Sequence, residues 1–130
     1  MKKLSTYFKS QKGQSLTEFA LVIPIFVIVL GGIVEFSRMY ETANVITSAA
    51  RAGARVAAVT SPSVSQATNA ARAVLTAANI YNASISISGP NASNQVTVTV
   101  RLSYQPVAGS ILPGVSGLTI SRSSVMYWEG

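Results

Sequence analysis

The chain has 130 residues, 48% hydrophobic and 11% charged, with a formal net charge of +6 and neither Cys nor His. It also lacks Asp, and its carboxylates are Glu18, Glu35, Glu41 and Glu129, scattered over the whole length. A metal site needs clustered Cys, His or carboxylate ligands and a catalytic nucleophile needs a base beside it, so this inventory excludes an enzyme and implies neither a metal nor a cofactor.

The length allows one small domain and an appendage. Much of the positive charge sits at the front: Lys2, Lys3, Lys9 and Lys12 precede residue 13, and the remainder carries six Arg against four Glu. Arg51, Arg55, Arg72, Arg101 and Arg122 are dispersed and lack interleaved aromatics, so no nucleic-acid partner is expected. A chain without Cys is compatible with a bacterial periplasm.

Residues 1–13 form a basic head. Residues 19–34 follow as a run without a charged side chain, which Leu16, Thr17 and Phe36 extend toward the roughly 20 residues a spanning helix needs. Lys residues precede the run, while Glu35, Arg38 and Glu41 follow it, so the N-terminus is expected on the cytoplasmic side. Glu35-Phe36-Ser37-Arg38 offers no small-residue site for a signal peptidase. Pro24 and Gly31-Gly32 would damage a soluble helix but are tolerated in membrane helices. Ser15-Leu16-Thr17-Glu18 fits a helix capping box, in which Ser15 caps the first turn and Glu18 reaches back to it.

Lys12-Gly13-Gln14-Ser15-Leu16-Thr17-Glu18-Phe19 resembles the processing motif of type IV prepilins, and Glu18-Phe19 followed by Ala20-Leu21-Val22-Ile23-Pro24 is similar to the Tad/Flp branch. Residues 34–40 and 49–59 resemble the TadE-like pilus-assembly proteins. The resemblance covers residues 13 to about 60. It implies that a prepilin peptidase cuts between Gly13 and Gln14, and that Glu18, beside Phe19, pairs with the freed α-amine of a neighbouring subunit. Glu18 could serve as cap, as pairing group, or as both.

Downstream, the pattern predicts one helix over residues 15–59, about 68 Å long at 1.5 Å per residue, so its second half would leave the bilayer. Glu35, Arg38 and Glu41 read as a solvated face. Ala49, Gly53 and Ala57, and beside them Ala50, Ala54 and Ala58, make two rows of small side chains that allow close packing. The partner could be another subunit or the chain's own domain. Arg51 and Arg55 share a face, either as the wet side of the helix or as contacts for acidic groups or lipid phosphates.

Ser61 reads as an N-cap with Pro62 at the first position of a second helix over residues 62–78, its face formed by Val64, Ala67, Ala71, Val74 and Ala78. Residues 83–88 alternate as a strand, residues 89–94 are a turn cluster, and Val96, Val98, Val100 and Leu102 mark the buried side of the next strand. A Gly- and Pro-containing loop over 105–117, either a partner surface or a plain crossover, leads to a third strand over 118–128 with Ile120, Arg122, Ser124 and Met126 on one face. Tyr127 and Trp128 read as core packing, the expected outcome, or as an interfacial aromatic anchor.

The expected fold is α+β: a basic leader over 1–13, a long pilin-like helix over 14–60 that spans the membrane in its first half, and a small extracytoplasmic domain over 61–130 with one helix and about three antiparallel strands. By resemblance, the chain is a minor pilin or pseudopilin of a Tad/Flp pilus, supporting pilus biogenesis and adhesion. It would be a single-pass protein of a bacterial inner membrane, able to enter a surface pilus. Its partners would be the prepilin peptidase, other pilin or pseudopilin subunits, the inner-membrane assembly platform and membrane lipids. The alternatives are the major filament subunit and a membrane-tethered binding module or adhesin.

Overall fold

The computed structural model describes residues 4–59, 63–110 and 117–129, the side chains of 4–12, 108 and 110 excepted. The elements are α1 (Leu4–Val59), α2 (Val64–Ala77), β1 (Ser84–Ser88), β2 (Gln95–Tyr104), a short 3-10 turn (Val107–Ser110) and β3 (Leu118–Tyr127). The architecture is α+β, with the long apolar N-terminal helix, one further helix and one antiparallel sheet. Two compact units divide after Phe36, and α1 contributes to both.

The first unit corrects the expected helix start. α1 begins at Leu4, so Ser15 lies inside the helix and the capping box does not form. The basic head contains no Pro, and a single Gly13 costs a helix only about 1 kcal/mol relative to Ala, so nothing forces a break before the apolar run. Thr17 Oγ1 instead donates to the Gly13 carbonyl at 2.9 Å, a bond within the helix wall.

In the second unit the strand order is β1-β2-β3, both pairs antiparallel. Val98 pairs with Ile87 on one side and Ser124 on the other, and Val100 with Ile85 and Arg122. Because side chains alternate across a strand, Val96, Val98, Val100 and Leu102 all reach one face and are all buried there, as the alternation predicts. That face is covered by the C-terminal part of α1 and by α2. One cluster joins Ile46, Ala49 and Ala50 of α1 to Leu75, Val100, Leu102 and Ile120; a second joins Ala54 and Ala57 to Ala67, Val96 and Val98. Increasing numbers along α1 therefore meet decreasing numbers along β2.

Local chemistry sets the ends of α2. Ser63 is the N-cap, its side chain accepting from the Gln66 N–H at 3.3 Å. The expected cap Ser61 and the first-position Pro62 lie outside the described residues. At the other end Asn79 takes a left-handed conformation (φ 59°), the Asn79 N–H bonds the Thr76 carbonyl and the Ile80 N–H bonds the Leu75 carbonyl, both at 2.9 Å. This is the paired closure that Gly or Asn allows after a helix, and Ile80 packs with Leu75 in the same cluster.

The face of α2 differs from expectation. Ala67, Ala71 and Leu75, four apart, are buried, whereas Val64 is 55% exposed and Ala78 is the exposed C-cap. Val64 stands in the first turn beside the cap, so the row that docks is carried by Leu75 at its far end. On β3 the expected face holds, since Ile120, Arg122, Ser124 and Met126 lie opposite Leu102, Val100, Val98 and Val96. Only Ile120 is buried, because β3 is an edge strand, and Arg122 turns out to donate to the Ser121 carbonyl at 3.1 Å. Trp128 packs against the second cluster, but Tyr127 is 70% exposed, so the aromatic pair divides. The chain end is held by the Trp128 N–H on the Asn94 carbonyl (2.7 Å) and the Glu129 N–H on the Ala58 carbonyl (3.2 Å), the latter satisfying a last-turn acceptor of α1.

Candidate functional site

Gly13, Gln14, Glu18 and Phe19 lie on two consecutive turns of α1. Gln14 Nε2 donates to Glu18 Oε1 at 3.3 Å across one turn, and both residues are exposed, so the amide and the carboxylate share a face. A Cβ built on Gly13 meets nothing within 4 Å. Packing among the described residues therefore gives no reason for glycine at a position where it weakens the helix.

Beyond Glu18 every large apolar side chain of the run faces outward, among them Phe19, Leu21, Phe26, Ile28 and Phe36. Apolar residues occupy all sides of this part of α1, so it has no polar face to give water. A helix apolar all round is stable only in a large core or in lipid, and burying each such side chain contributes about 1.5–3 kcal/mol. Among the described residues α1 is the helix long and apolar enough to cross a membrane, with Gly13–Val59 as the candidate segment. Gly31 and Gly32 within it have open space where a Cβ would stand.

The small-residue rows have a different environment. Ala49, Ala50, Ala54, Ala57 and Ala58 are buried, and so is Gly53. A Cβ on Gly53 would stand 3.1 Å from the Ala67 carbonyl oxygen, 3.2 Å from Ala71 Cβ and 3.2 Å from Val98 Cγ1. The rows are thus filled by α2 and β2 of the same chain, which of the two partners open from the sequence is the intramolecular one. Ile46, fully buried at the same seam, escaped the sequence pattern because a single large residue among alanines gives no period of its own.

Arg51 and Arg55 are exposed on the side of α1 away from that seam. Arg55 borders a groove with Val59, Val125, Tyr127 and Glu129. Among the described residues no group of three or more His, Cys, Asp or Glu comes together as a metal site would require. A shallow cleft of about 220 Å³ lies between α1 (Arg38, Glu41, Thr42, Val45) and Ala78, Ile80 and Tyr104.

No curated protein and no solved structure matches the chain. Residues 13–55 match the family model described as TadE-like protein, and this segment opens at Gly13 and closes at Arg55, taking in the exposed apolar run and most of the buried seam. The family is a structural, non-enzymatic one associated with Tad pilus assembly. Over residues 13–55, then, the chain is similar to the TadE-like pilus-assembly proteins.

Proposed function

We propose that the chain is a minor pilin or pseudopilin of a Tad/Flp pilus, held in a bacterial inner membrane by the apolar part of α1 with its N-terminus cytoplasmic. Residues 1–13 act as a leader that the prepilin peptidase removes after Gly13, and the unit from Ser37 onward is extracytoplasmic. The observation that carries the reading is the helix segment following Glu18, apolar on every side and exposed on every side, which needs lipid or the helices of sister subunits around it.

Three further features support it. Among the described residues nothing packs where a Cβ at position 13 would stand, and a peptidase that cuts after glycine supplies a role for Gly13. Gln14 and Glu18 share a face, which supports a carboxylate near the new terminus that pairs with the α-amine of a neighbour. A carboxylate at the lipid edge is costly until it finds such a cation. The open positions at Gly31 and Gly32 allow another helix to approach closely. The buried rows around Gly53 leave this first part of α1 as the subunit contact, with Arg51 and Arg55 as candidates for acidic groups on the assembly platform or other subunits. Incorporation then supports pilus biogenesis and adhesion.

The test is the mature terminus. Co-expressed with its peptidase, the protein should give an intact mass beginning at Gln14; a chain that retains Met1 or Lys2 overturns the processing step. Loss of surface pili on deletion, restored by the wild-type chain, is the expected assembly phenotype.

A further inference from the structure

We propose that one end of the small unit, formed by Tyr40, Tyr81, Tyr104, Val107 and Leu118, rests in the lipid headgroup layer on the outer side of the membrane. The proposal builds on the spanning role assigned above to the run that ends at Phe36.

Within the unit, several observations bring these residues to one end. Tyr104 pairs with Leu118 in the β2–β3 register, at the extremity of both strands. Tyr104 and Ile80 line the same cleft as Arg38, Glu41 and Val45 of α1, and Met39 and Ala43 pack against the cluster that contains Leu102 and Ile120. Tyr81 follows Ile80 directly, and Val107 opens the short turn just beyond β2. Tyr40, Tyr81 and Val107 are 63%, 68% and 53% exposed, and Leu118 is 47% exposed. Residues 105–110 and 117, the described part of the β2–β3 connection at this end, carry no charge.

Exposure alone would not identify a partner, since Val59, Val125 and Tyr127 elsewhere on the unit are exposed as well. Chain length does. Tyr40 is four residues past Phe36, and four residues reach at most about 14 Å in any conformation. The headgroup regions bring a hydrocarbon core of ~30 Å to a total of about 40–45 Å, so the end that contains Tyr40 cannot escape the neighbourhood of the interface. Tyrosine suits that layer, with its ring toward the acyl chains and its hydroxyl toward water, and Arg38 can reach lipid phosphates there. The surface is therefore matched to lipid: aromatic and aliphatic side chains around a cleft that holds Arg38 beside Glu41, tethered at the right height.

The full chain, which has no Cys, allows single-cysteine nitroxide labelling after reconstitution in phosphatidylethanolamine and phosphatidylglycerol vesicles. Labels at Ile28→Cys, Asn82→Cys, Gln105→Cys and Ala92→Cys report in turn the span, two exposed positions flanking the proposed surface and the hairpin turn at the opposite end. Accessibility to oxygen, which concentrates in lipid, is compared with accessibility to a water-soluble nickel chelate. The expected result is an oxygen-rich Ile28 site, a chelate-rich Ala92 site, and several-fold lower chelate access at Asn82 and Gln105 than at Ala92. Adding Tyr81→Ser should raise chelate access at Gln105. If Ile28 is in lipid while Asn82 and Gln105 are as open to chelate as Ala92, the surface proposal is wrong and the span stands; an aqueous Ile28 site removes the span and the proposal with it.

Discussion

Gly53 is where α1, α2 and the sheet come closest, and adding atoms there tests the packing of the whole second unit. Alanine at an exposed helix position would stabilise by about 1 kcal/mol over glycine. Here the new methyl would stand at 3.1–3.2 Å from the Ala67 carbonyl oxygen, Ala71 Cβ and Val98 Cγ1. Carbon pairs prefer about 3.5–4.0 Å, so each neighbour would have to yield by roughly 0.3 Å or more. None yields easily, because one is helix backbone, one is the stub of a buried alanine and one belongs to a fully buried strand residue. Overpacking costs about 1–3 kcal/mol, so Gly53→Ala should be destabilising by about 0–2 kcal/mol after the propensity gain. Gly53→Val adds two methyls beyond the alanine Cβ in the same space and should cost about 3 kcal/mol or more. At about 4–8 °C per kcal/mol for a unit of this size, Gly53→Val lowers Tm by on the order of 12–24 °C. The assay is thermal unfolding of the full chain in detergent, followed by the fluorescence of Trp128, which packs against the cluster that includes Ala54 and Val98. A Gly53→Ala protein that melts higher than wild type, with Gly53→Val unchanged, would refute the close seam.

Leu75→Ala should destabilise the same unit by about 2–5 kcal/mol, seen in the same melts, because Leu75 is 2% exposed and the helix that carries it cannot collapse into the void without dragging its cap. Ser63→Ala removes the acceptor for the Gln66 N–H and should cost about 1 kcal/mol, measured by denaturant titration, with Ser63→Gly losing less. Gly89 has φ +119°, and a Cβ there would run into the Gln95 carbonyl oxygen, so Gly89→Ala should destabilise the β1–β2 hairpin by about 1–3 kcal/mol and speed amide exchange in both strands. Glu18→Ala should leave those melts unchanged while reducing incorporation into pili, since Glu18 is exposed and its side chain accepts from Gln14 one turn away on α1, outside the second unit. Equal pilus yield from wild type and Glu18→Ala would remove the pairing role.

The apolar run, the long helix and the sheet were legible because each rests on a local pattern: uninterrupted hydrophobicity over 19–34, the absence of proline between Pro24 and Pro62, and strict alternation from Val96 to Leu102. The turn before β2 was legible for the same reason, since Asn91 Oδ1 accepts from the Ser93 and Gln95 N–H groups within the segment itself. Where two local devices competed, sequence order did not decide. Ser15-Leu16-Thr17-Glu18 has every residue of a capping box, yet a cap exists only where a helix starts, and the head continues the helix back to Leu4.

What the sequence alone determined, then, is which segments are helix or strand and which one is long and apolar enough to cross a membrane, because those follow from short-range sterics and from transfer of side chains out of water. Tertiary structure decided the partner of each face. The alanine rows around Gly53 suit a neighbouring subunit and the chain's own α2 equally well by composition, and only the close approach of Ala67, Ala71 and Val98 assigns them to the chain itself. The division of Tyr127 from Trp128 has the same origin: alternate residues of a strand end face opposite ways, and the α layer covers one side only.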